Sequence, residues 1–258
     1  MPYSPSFEWR YPQTILQLYR HLETLEYPPD VVRSVRDAYD LAAALFTGRF
    51  VLPGGKPLLT HCVGAAGILA SLHVPGHLLS AALLHNAYQA GDFGDGDMGP
   101  TTARRDEVRK SIGEAAESVV AGFAELRLHP DAVARLLDQL ASLEPAERDA
   151  LLVWAADHLE HHLDLGFLHR QKRAGDADKR RLAIGIALEF GFPQLADEIR
   201  RVHAENDSAT VSEAYRPKGG GYFLAPRSYR TGLGIRLRRR ARRLRSRRSS
   251  PAGRPSAS

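Results

Sequence analysis

Residues 55–88, GKPLLTHCVGAAGILASLHVPGHLLSAALLHNAY, decide how the rest of the chain is read. They contain two apolar stretches, Leu58–Leu72 and His77–Tyr88, divided by Val74–Pro75–Gly76. Proline and glycine side by side mark a turn. Neither stretch alternates with period two, and both exceed the usual length of a strand, so each is predicted to be a helix. Their longest uninterrupted runs, Ala65–Ala70 and Ala81–Leu84, are too short and too interrupted to span a bilayer.

Helical spacing continues on both sides. Upstream, Ile15, Leu16, Leu18, Tyr19, Leu22 and Leu25 predict a helix over 14–25. Pro28–Pro29–Asp30 ends it and caps a second helix over 31–46, whose apolar positions are Val32, Val35, Ala38, Tyr39, Ala42 and Leu45. Thr47–Pro57, with Gly48, Pro53, Gly54 and Gly55, reads as a loop. Downstream, GDFGDGDMGP (91–100) excludes regular structure and reads as a long exposed loop. Further helices are expected over 105–126, 131–143, 146–168, 179–190 and 194–206. The expected fold is all-α: a helical domain over 1–206, a linker over 207–230 that includes Lys218–Gly219–Gly220–Gly221, and an arginine-rich, disordered or helical tail over 231–258.

Charge divides the chain the same way. The net charge of +5 conceals an asymmetry: from Arg227 onward there are 12 arginines and no acidic residue. Of 35 basic residues, 23 therefore face all 30 acidic ones in residues 1–226, a net of −7. Such a tail suits phosphates on nucleic acid or an anionic membrane surface. The thin apolar stripe of Ile235, Leu237, Ala241 and Leu244 favours the membrane. A single cysteine, Cys62, excludes an internal disulfide framework. MPYSPSFEWR holds no long apolar stretch, so no signal peptide is expected and the cytoplasm, with peripheral membrane contact, is the expected location.

Three short pieces carry the candidate chemistry: Thr60–His61, Leu83–Leu84–His85–Asn86 and Ala155–Ala156–Asp157–His158–Leu159. Imidazole and carboxylate are good ligands for divalent first-row metals, and facing helices of a bundle are a common place to build such a site.

GKPLLTHCVGAAGILASL (55–72), AALLHNAY (81–88), SIGEAAESVVAGFAEL (111–126) and LLVWAADHLEHHLDL (151–165) together resemble the HD domain of RelA/SpoT-type alarmone hydrolases over roughly residues 35–170. The resemblance implies a helical bundle holding one divalent metal (manganese, iron or zinc) through His61, His85, Asn86 and Asp157. Three of the four ligand positions keep the family's residue. Asn86 stands where the family has its aspartate, and its amide oxygen ligates without charge. Gln89 and Ala90 replace a Glu-Asp pair that activates water, Leu52 replaces a base-contacting arginine, and His161 stands where the family has asparagine. The run AYQAGDFGDGDMG also resembles a divergent His-Asn subgroup of HD-like domains.

Asp92, Asp95 and Gln89 are the candidate catalytic residues; because an amide is a poor base, the loop carboxylates Asp92, Asp95 and Asp97 are the ones to supply a base. Two functions stay open: a metal-dependent phosphohydrolase acting on a small phosphorylated molecule or nucleotide, and a catalytically inactive module that binds a ligand or partner through the same cleft. His161 shares a helix face with Asp157, whereas His158 and His162 are expected on a solvated face.

Overall fold

The computed structural model describes residues 9–51, 55–96, 98–126, 128, 130–164 and 175–210. Leu52, Asp97, the 165–168 end of the predicted 146–168 helix, the linker beyond residue 210 and the arginine-rich tail lie outside the described residues. The chain runs α1 (Ile15–Thr24), α2 (Pro29–Phe46), α3 (Leu58–Ser71), α4 (Gly76–Leu84), α5 (Ala87–Ala90), α6 (Thr102–Glu125), α7 (Pro130–Gln139), a 3-10 turn (Leu140–Ser142), α8 (Pro145–Leu163), α9 (Asp176–Glu189) and α10 (Pro193–Ser208). Among the described residues the only β pairing is an isolated bridge between Phe50 and Pro57. The fold is all-α, and no described helix is long and apolar enough to cross a membrane.

Local chemistry sets the helix ends. Thr14 and Gln17 form a reciprocal capping box at the start of α1, and prolines open α2, α8 and α10, where a missing N–H costs nothing. α3 is buried on nearly every side and packs against α1, α2, α4 and α8. A helix apolar all round belongs in the middle of a bundle. Ile68 and Leu69 are fully buried there, each worth roughly 1.5–3 kcal/mol relative to exposure.

Two helices predicted as continuous are broken. The 77–88 stretch divides at His85–Asn86, where Asn86 sits at φ −90° and ψ 4°. The His85 ring donates from Nδ1 to the Ala82 carbonyl at 2.6 Å, taking the acceptor that the Asn86 N–H would use in a continuous helix. The second break is at Gly113 in α6, with φ 81° and ψ 169°, a conformation only glycine adopts cheaply. After the first break, α5 is fastened to α6 by a buried network. Tyr88 donates to Glu117 at 2.8 Å, and Arg105 donates to the same carboxylate at 2.7 Å. Glu117 is fully buried, and these two partners with Arg109 hold it below the usual carboxylate range against the opposing effect of burial.

Candidate metal centre

Three elements deliver one donor each. His61 lies in the first turn of α3, His85 directly follows α4, and Asp157 lies in the C-terminal half of α8. His61 Nε2 is 2.8 Å from Asp157 Oδ1, His85 Nε2 is 3.1 Å from the same oxygen, and the two Nε2 atoms are 3.3 Å apart. Both histidines are fully buried and Asp157 is nearly so. Residues 96 positions apart in sequence thus meet at one point.

The far side of each ring fixes what the near side offers. His61 Nδ1 is hydrogen-bonded to Glu160, which Lys56 grips at 2.6 Å. Glu160 fits because residue 64 is glycine: a Cβ there would lie 2.7 Å from its Oε1. His85 Nδ1 donates to the Ala82 carbonyl. With both Nδ1 atoms occupied as donors, each neutral ring presents an Nε2 lone pair to the other and to Asp157. Three lone-pair atoms within 3.3 Å repel unless a positive charge joins them.

Protons or a metal ion can supply that charge. Burial alone would push both imidazole pKa values down. For His61 the neighbouring Asp157 and Glu160 outweigh it, to about 9. For His85 the adjacent Cys62 and Asp157 do so, to about 10. Asp157, although buried, is held well below the usual carboxylate range by His161, His61 and His85. A field that retains protons on buried imidazoles also attracts a divalent cation. A tetrahedral ion with nitrogen ligands at about 2.0–2.1 Å spaces its donors about 3.3 Å apart, close to the separations found here. Ligand types, tautomers and spacing all fit a metal. Glu160 completes the carboxylate–histidine arrangement that orients metal-binding imidazoles.

Asn86 and His161 border this cluster. The Asn86 amide nitrogen is 2.6 Å from His85 Nε2. Turned over, the same amide offers Oδ1 to a cation. His161 Nε2 is 3.4 Å from Asp157 Oδ1, and its ring lies 4.3 Å from that of His61. Its side chain is 27% exposed, against none for His61, so it stands between the cluster and solvent.

The loop carboxylates take other partners. Asp95 accepts from Arg104 Nε at 2.7 Å and from its Nη2, and the guanidinium also covers the Phe93 ring. The pairing follows from burial, because Arg104 is 2% exposed and needs a counter-charge. Asp92 Oδ1 accepts from the Gly94 N–H at 3.0 Å, a local turn. Gln89 is exposed on α5. Among the described residues, none of the three joins the donors gathered at His61, His85 and Asp157.

Glu160 and Lys56 were not singled out from sequence. Glu160 lies three residues beyond Asp157, one helical turn along the same face, and that spacing is the signal that points to it. His158 and His162 correct the expectation of a solvated face: they are 8% and 9% exposed, covered by α10.

Residues 38–157 match the family model of the HD domain, a span that includes His61, His85, Asn86 and Asp157. No curated protein sequence matches the chain.

Proposed function

We propose that the HD-like domain holds one divalent cation through His61, His85 and Asp157, with Asn86 as a neutral fourth ligand, and hydrolyses a small phosphorylated molecule, a nucleotide in chemical class. The convergence of two Nε2 lone pairs and one carboxylate oxygen, each ring fixed from behind, carries this reading. The match to the HD domain over 38–157 supports it, since that family is built around metal-dependent phosphohydrolase chemistry. When bound, such a cation polarises a phosphoryl oxygen and acidifies a coordinated water.

The chain's own residues divide the remaining work. Asp157 supplies the one full negative charge among the ligands. Glu160 and the Ala82 carbonyl hold the rings in the ligating tautomer. His161, partly exposed and beside Asp157, is the group placed to accept or return a proton at Nε2. It takes the part for which the loop carboxylates were candidates. Gln89 and Ala90 in place of the acidic pair make the substrate something other than an alarmone handled by the RelA/SpoT route.

A second reading, an inactive module that binds a ligand in the same cleft, is favoured by one observation: Arg104 engages both Asp95 oxygens. Elemental analysis of the purified chain beside its Asn86→Asp variant separates the two. A degenerate enzyme contains manganese, iron or zinc, and the variant binds it roughly tenfold or more tightly, because a full charge joins the ligands. A chain that contains no metal and takes up none on incubation defeats the first reading. For the tail, we propose reversible contact with an anionic membrane surface from the cytoplasmic side. Deleting residues 227–258 then removes retention on anionic vesicles at low salt, and unchanged retention dismisses that contact.

A further inference from the structure

α8 presents a second set of donors about 100° around its axis from the first. His158 and His162 are four residues apart, the spacing that stacks two side chains on one helix face and that helical zinc sites use. That face meets α10, which contributes His203. His158 Nε2 and His203 Nε2 are 3.0 Å apart. The His203 and His162 ring centroids are 4.2 Å apart, and those of His158 and His162 are 4.5 Å apart. One ligand atom from each of the three histidines lies within 4.8 Å of the others.

The tautomer and backbone are again set from behind. His162 Nδ1 donates to the His158 carbonyl at 2.7 Å, which leaves its Nε2 as the lone-pair atom. Asn206, one turn beyond His203 on α10, donates to the His162 carbonyl at 3.0 Å and ties the two helices together at this point. All three histidines are buried, at 8–9% exposure. Buried imidazoles gathered on one another, with no carboxylate in the set, are a good ligand set for a borderline-soft ion.

We propose that His158, His162 and His203 form a second metal site, selective for zinc-class divalent ions and separate from the His61–His85–Asp157 centre. Its ion cross-links α8 to α10, with water or a small anion in the fourth position. The absence of a carboxylate sets it against manganese and magnesium, which prefer oxygen donors.

The test uses the full-length untagged chain, stripped with a chelator and titrated with Zn²⁺ in competition with a chromophoric chelator. Wild type is expected to take up two equivalents. His203→Gln loses one of them, its affinity falling more than about a hundredfold, and the His61→Gln/His85→Gln chain loses the other. The two sites are therefore scored by different variants. If the wild type binds one equivalent that His85→Gln abolishes and His203→Gln spares, the second site is refuted. If it binds one that only His203→Gln abolishes, the second site stands and the first reading fails. Should His203→Gln not fold, X-ray absorption of Zn²⁺ in the His61→Gln/His85→Gln chain decides the matter. A shell containing about three imidazoles upholds the proposal, and fewer than two, or no retained zinc, overturns it.

Discussion

Two buried histidine clusters meet the same helix on adjacent residues, yet their electrostatics run in opposite directions. At Asp157, carboxylates from α8, preceded at His85 by the adjacent Cys62, outweigh burial and keep His61 and His85 inclined to hold positive charge. At His158, burial and the neighbouring imidazoles act together: His158 is pushed well below the usual histidine range, and His203, with Arg180 also nearby, falls to about 4. The ring is the same in both places. What surrounds it decides whether it is a cation or a neutral donor, and hence whether the cluster competes for hard or soft ions.

The largest effect that would sharpen this contrast comes from Asp157→Asn. Metal affinity at the first cluster should fall more than about a hundredfold, while Zn²⁺ uptake at the second is unchanged. A loss at both would show that they are one site. Glu160→Gln acts through the His61 ring and should cost about 10- to 100-fold at the first cluster alone, checked by the same competition titration.

The next effect, on the order of 1 kcal/mol, is on the metal-free chain's stability as a function of pH. His61, raised to about 9 when folded, stabilises fully below its unfolded value near 6.5, and that contribution disappears as pH rises through about 9. His203, lowered to about 4, gives the reverse: the unfolded chain takes up a proton near 6.5 that the folded chain refuses until about 4, so stability falls across that interval. Denaturant unfolding should therefore show an acid limb flattened by His203→Gln and an alkaline limb flattened by His61→Gln. If either substitution flattened the opposite limb, the contrast would collapse. The smallest effect belongs to the loop: Asp92→Asn should change hydrolysis less than about twofold, since Asp92 caps its own turn, and a tenfold loss would return the loop to the chemistry.

Much of this was legible in the sequence, for identifiable reasons. Helices such as 31–46 announced themselves because an amphipathic stripe and a proline cap agree. His61, His85 and Asp157 could be picked out because each sits in a short recognisable context. The break at Asn86 was not legible, since apolar spacing runs through it and the His85 ring's bond to the Ala82 carbonyl, which accompanies the break, leaves no mark on that spacing. Arg104's hold on Asp95 depends on how deeply the arginine is buried, which periodicity does not reveal. His203 sits in an ordinary amphipathic helix, 45 positions from His158 and 41 from His162, and the histidines it meets look like solvent-facing residues until α10 is laid over them.

Because consecutive residues of α8 serve both clusters, that helix has little liberty as a moving part. Turning it about its long axis to open one cluster would drive the other into its neighbours, and sliding it would disturb both at once. Any rearrangement that admits a substrate therefore falls to the pieces around this fixed rod.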